Sequence, residues 1–141
     1  MFEAHSYSER ALLSSERAVQ LAPDNEGWAW DMSGAYVFMG NVLEREGRSH
    51  DALELQENAL YTRQKRFFRH PDNPDVVEAV AISFERVANL RHLLGNPGEA
   101  LTAAAEAVNL RTSLTKHEPN NPKWKEGLRR ATELHKRISS S

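Results

Sequence analysis

The side chains able to do chemistry are plentiful but do not converge. Six histidines, His5, His50, His70, His92, His117 and His135, are scattered along the chain. None stands at metal-ligand spacing from another ligand. Several fall near expected helix ends, where a solvated or capping imidazole is the ordinary role. No cysteine is present, which excludes thiolate nucleophiles and a disulfide framework. No glycine-rich phosphate loop, HExxH, EF-hand loop or G-x-S-x-G occurs. The 20 acidic residues read as solvated helix faces rather than as a catalytic pair. The chain is therefore read as not an enzyme, with no cofactor and no metal.

Two basic stretches were weighed as nucleic-acid patches. Arg63-Gln64-Lys65-Arg66-Phe67-Phe68-Arg69 has aromatics between its cations. Cations favour a helix C-terminus, and the two phenylalanines are expected to pack inward. From Pro119 onward six Lys/Arg face two Glu, as suits a solvated terminal helix. Net charge is -2, without the basic excess of a nucleic-acid binder. No apolar run reaches the roughly 18 residues a membrane span needs, and the N-terminus lacks a signal-peptide core. The expectation is a cytoplasmic protein with neither nucleic acid nor membrane as partner.

The elements that would position any site repeat along the chain. Pro23, Pro71 and Pro119 are separated by 48 residues each time, inside Ala22-Pro23-Asp24-Asn25, His70-Pro71-Asp72-Asn73 and Glu118-Pro119-Asn120-Asn121. Gly47 and Gly95, Asn41 and Asn89, Ala52 and Ala100, and Ala59 and Ala107 keep the same offset. Each period holds two helical stretches. In the first, Trp28, Met32, Ala35, Tyr36, Met39, Gly40 and Leu43 recur at helical spacing. A second runs from about Ser49 to Arg69. The next period reads Pro74 to Leu94, then a helix to about Lys116, and a last helix starts at Pro122.

Asn73-Pro74 and Asn121-Pro122 look like N-caps followed by proline in the first turn. Asn96-Pro97-Gly98-Glu99 has the form of a capping box. Gly47 and Gly95 suit the left-handed residue that ends a helix. Trp28 and Trp124 lie two periods apart and are expected in the core. Trp30 points about 200° away from Trp28 on a helix, as a binding anchor or a packing residue.

The small positions Gly40/Ala88, Ala52/Ala100 and Ala59/Ala107 carry a resemblance to the tetratricopeptide repeat. Its W-x2-L-G-x2-Y pattern is similar to Tyr36-x2-Met39-Gly40-x2-Leu43 and to Phe84-x2-Val87-Ala88-x2-Arg91. The period is longer than the usual 34 residues or so by close to four helical turns, two per helix. The chain looks closest to the long-period repeats of bacterial proteins. The resemblance implies an all-α fold: an α-solenoid of antiparallel helix pairs, a superhelix of about five helices forming a single array over residues 1–141. Residues 1–24 would be the second helix of an incomplete repeat, 25–72 and 73–120 full repeats, and 121–141 a C-terminal capping helix.

The same resemblance assigns a concave groove to the first helix of each pair. The expected partner-binding residues are Trp30, Val37, Asn41 and Arg45, then Glu85 and Asn89, then Arg130. Core packing gives no reason for asparagine at 41 and 89, and family members use asparagine at a matching position to hold a peptide. The function so implied is a protein- or peptide-binding adaptor, part of a larger regulatory protein or complex, whose partner is another protein or extended peptide. The rival reading is self-association as a homodimer through the helix on residues 2–21, which lacks its repeat partner. A small helical enzyme is a weaker alternative.

Overall fold

The computed structural model describes residues 25–140 together with the isolated Leu13. Among the described residues it is helical throughout, without a strand: α1 (Glu26–Arg45), α2 (Ser49–Arg69), α3 (Pro74–Leu93), α4 (Pro97–His117) and α5 (Pro122–Ser139). The helix expected on residues 2–21 lies outside the described residues.

Helix starts follow from asparagine and proline. Asn25 accepts from the Trp28 N–H, Asn73 from Asp75 and Val76, and Asn121 from Trp124. Each bond satisfies a backbone donor that the first turn leaves open. Asn96 departs from the expected capping box: its side chain makes no cap hydrogen bond. The reason lies one turn back. The Asn96 N–H already donates to the Arg91 carbonyl at 2.8 Å, and Gly95 N–H donates to His92. That pair of bonds is the Schellman closure of α3, so the N–H that Glu99 would have held is taken. Glu99 instead lies 3.8 Å from Arg91. The same closure ends α1, where Arg48 N–H donates to Leu43 and Gly47 N–H to Glu44. Gly47 and Gly95 have φ of 81° and 86°, a region costly for residues with a Cβ.

The chain divides into two compact units, Met1–Arg66 and Phe67–Ser141. In the first, α1 and α2 run antiparallel. Gln56, early in α2, reaches Val37 and Asn41 late in α1, while Arg66 reaches the Glu26 carbonyl at the start of α1. Met39, Val42, Leu43, Ala52, Ala59 and Leu60 are buried. Two polar residues join them. Gln56 is fully buried because Gly40 leaves room: a Cβ there would stand 2.6 Å from Gln56 Nε2. Ser33 is buried and accepts from Arg63 Nε at 3.1 Å. Trp28, expected in the core, is instead 39% exposed. The buried face of α1 is turned toward Ser33 and Met39, and leaves Trp28 at its edge.

In the second unit α3 packs on α4 and α4 on α5, and α5 also touches α3. Arg111, late in α4, meets Glu78 early in α3, so these two helices are antiparallel. Arg137 late in α5 donates to Asn89 late in α3, so α5 runs parallel to α3. Val77, Leu114 and Trp124 form a cluster against which Phe67 and Leu110 pack. Burying each such side chain contributes about 1.5–3 kcal/mol. Trp124 thus holds the core place expected of it. Phe68 does not: its neighbour Phe67 takes the inward position, and successive helical residues point about 100° apart, leaving Phe68 82% exposed. Alanines 81, 88, 100, 104, 107 and 131 are fully buried, which brings the helix backbones close.

Candidate binding cleft

The second unit contains a cleft of about 500 Å³ between the parallel helices α3 and α5. Helix α3 contributes Glu78, Ile82, Glu85, Arg86 and Asn89 at helical spacing along one face. Helix α5 contributes Lys123, Arg130, Glu133, Leu134 and Arg137. Its opposite face buries Trp124, Gly127, Ala131 and Ile138, and this fixes the rotation of the helix.

Arg111 of α4 completes the lining and is only 4% exposed. Its Nε and Nη2 both approach Glu85 Oε2, at 3.1 and 3.0 Å, and its Nη1 lies 3.6 Å from Glu78 Oε2. A guanidinium so far from water needs this compensation. Lys123 Nζ adds a contact of 3.2 Å to the other oxygen of Glu78. Burial pushes the Glu85 carboxyl above its usual range, against the opposing pull of Arg111, Arg130 and Arg86. At the rim Glu133 pairs with Arg129 at 2.6 Å, and Arg129 also holds Glu126.

The carboxylates of the cleft are therefore already engaged: Glu78 by Arg111 and Lys123, Glu85 by Arg111, Glu133 by Arg129. Arg86, Arg130 and Arg137 form no ion pair among the described residues, although Arg86 and Arg130 lie close enough to Glu85 to influence its charge. Arg137 donates to Asn89 Oδ1 at 3.3 Å. Ile82 and Leu134 supply the apolar part of the lining.

Of the residues singled out from the sequence, Glu85, Asn89 and Arg130 come together in this cleft. Trp30, Val37, Asn41 and Arg45 lie on α1, in the other unit. Trp30 is packed there: the guanidiniums of Arg63 and Arg66 lie 5.8 and 4.9 Å from its ring centroid. The Val37 carbonyl and Asn41 Oδ1 both accept from Gln56 Nε2, at 3.2 and 3.1 Å. Interhelix packing thus does give a reason for asparagine at 41: it satisfies a buried amide. Arg45 is exposed at the end of α1.

Arg111 escaped the sequence reading, as did its repeat-equivalent Arg63, 48 residues earlier. Burial draws the Arg63 pKa below its usual value. The positions they face are also equivalent, Trp30 for Arg63 and Glu78 for Arg111. An arginine recurring at one repeat position of the second helix was the signal available. Among the described residues no three His, Asp or Glu side chains are grouped to hold a metal ion, and no helix is long and apolar enough to cross a membrane. Comparison with protein-family models and with curated proteins gives no match for this chain.

Proposed function

We propose that this chain is a protein- or peptide-binding module and that the α3–α5 cleft is part of its binding surface. One observation carries the reading. The cleft brings Glu85, Asn89 and Arg130 onto one open surface, lined by charged side chains with Ile82 and Leu134 among them. A volume of about 500 Å³ lies in the range of ligand sites generally. Parallel helices flanking an elongated depression suit an extended segment, which rises about 3.3 Å per residue and offers a backbone amide at each step. Asn89 and the arginines supply donors for its carbonyls or acidic side chains. The resemblance to long-period tetratricopeptide repeats agrees with this role, and suggests that the module serves a larger regulatory assembly.

The test is selection of binding peptides from a random display library on the full chain, followed by affinity measurement with Asn89→Ala and Arg130→Ala. Losing a neutral hydrogen bond should weaken binding by about 0.5–1.5 kcal/mol, and losing a charged one by more. Selected peptides that bind both variants as well as the parent would place the binding surface elsewhere.

A further inference from the structure

We infer that the cleft contains a subsite for a dianion, formed by Arg86, Arg130 and Arg137, and that it takes a phosphorylated side chain of a bound peptide. The inference rests on the peptide-binding reading above and adds the chemical class of the ligand. It begins from how charge is distributed. The three carboxylates of the cleft are held by Arg111, Lys123 and Arg129. Three guanidiniums remain that no ion pair among the described residues engages, on a chain whose overall charge is negative.

Their placement is convergent. The contact of Arg137 with Asn89 sets these two residues at one level of the parallel helices. At that alignment Arg130 stands level with Ile82, and Leu134 with Arg86, since each pair is again 48 residues apart. Arg86 therefore lies on α3 at a height between Arg130 and Arg137 on α5, and all three line the same cleft. A carboxylate would bring one negative charge to this group. A phosphomonoester brings between one and two, with three strong acceptor oxygens, and planar guanidiniums fit such oxygens well. Arg111 is not available for this task, because it is spent on Glu85 and Glu78.

Three degenerate peptide libraries, alike except for a central phosphoserine, serine or glutamate, would be passed over the full chain. The phosphoserine library should be retained in clear preference to the other two. The double variant Arg86→Gln/Arg130→Gln removes two exposed side chains, and should weaken that retention about tenfold or more. Lys136→Gln, exposed on α5 outside the cleft, should leave it unchanged. Inorganic phosphate should shift the arginine Nε–Hε resonances of the parent chain and not those that remain in the double variant. Equal retention of the serine or glutamate library in the cleft overturns this inference and leaves the peptide-binding reading standing. Phosphate shifts without retention of any library support the subsite and sink the peptide reading. Absence of both, or arginine-dependent capture of single-stranded RNA in preference to the phosphoserine library, overturns the inference.

Discussion

The Arg111 guanidinium occupies the space that a side chain at Gly127 would need: a Cβ there would stand 2.6 Å from Nη1 and 3.0 Å from Cζ. Two helices and a buried charge meet at this point. Gly127 lets α5 lie against the cation that Glu78 and Glu85 of α3 hold from the other side. The first unit uses the same device with different residues, where Gly40 makes room for buried Gln56.

Gly127→Ala should therefore destabilise the chain by about 1–3 kcal/mol, since the methyl group displaces a side chain fixed by two carboxylates. Gly98→Ala is the internal comparison, because a Cβ there meets nothing. It should be neutral or stabilise by up to about 1 kcal/mol through helix propensity. Thermal melts of both variants check the pair; a harmless Gly127→Ala would show that Arg111 has room to move.

Arg111→Met strands two partly buried carboxylates, and breaking such a pair from one side costs about 3–5 kcal/mol. Adding Glu85→Gln should recover part of the loss, because the stranded charge is then gone. Chemical denaturation of the single and double variants reads this coupling. Equal stability of the two would mean that Arg111 contributes by packing rather than by charge.

Ala59 and Ala107 are both fully buried and lie one period apart. Leucine at either position should overpack the contact between helices and cost about 1–3 kcal/mol. An unchanged melting temperature in both variants would place these positions away from a close approach.

Glu85 and Glu126 should titrate on opposite sides of the ordinary glutamate range. Burial raises Glu85, whereas the hydrogen bond from Arg129 lowers exposed Glu126. For Glu85 the sign is that of a group binding its proton more tightly when folded. Its contribution to stability is complete below the unfolded pKa and is lost as pH rises through the folded one. Glu126 contributes above its unfolded pKa and loses that contribution as pH falls through its folded value. Carboxyl-carbon NMR titration should show Glu85 protonating first as the pH falls. Protonation also leaves the cleft one charge more positive, so retention of phosphoserine peptides should strengthen across that step while the phosphate stays charged.

The helix ends were legible in the sequence because they depend on local chemistry. Asparagine accepts from the first turn, proline suits N1, and glycine takes the left-handed turn, as at Asn73, Pro74 and Gly95. The 48-residue period likewise marked Ala59 and Ala107 as buried before any packing was seen. The rotation of each helix was less legible. Amphipathic spacing put Trp28 in the core and Phe68 facing inward, and both are exposed. A large aromatic at the edge of an apolar stripe can lie on either side of the boundary, and only the neighbouring helix decides which. The site shows the same division. Glu85, Asn89 and Arg130 could be picked out along their helices, but Arg111 could not, since nothing local distinguishes a buried arginine from a solvated one. Its role depends on Glu78, Glu85 and the bare backbone at Gly127, which lie 33, 26 and 16 residues away in sequence. Desolvation and charge pairing act through space, and folding of α3, α4 and α5 against one another is what brings these groups within reach.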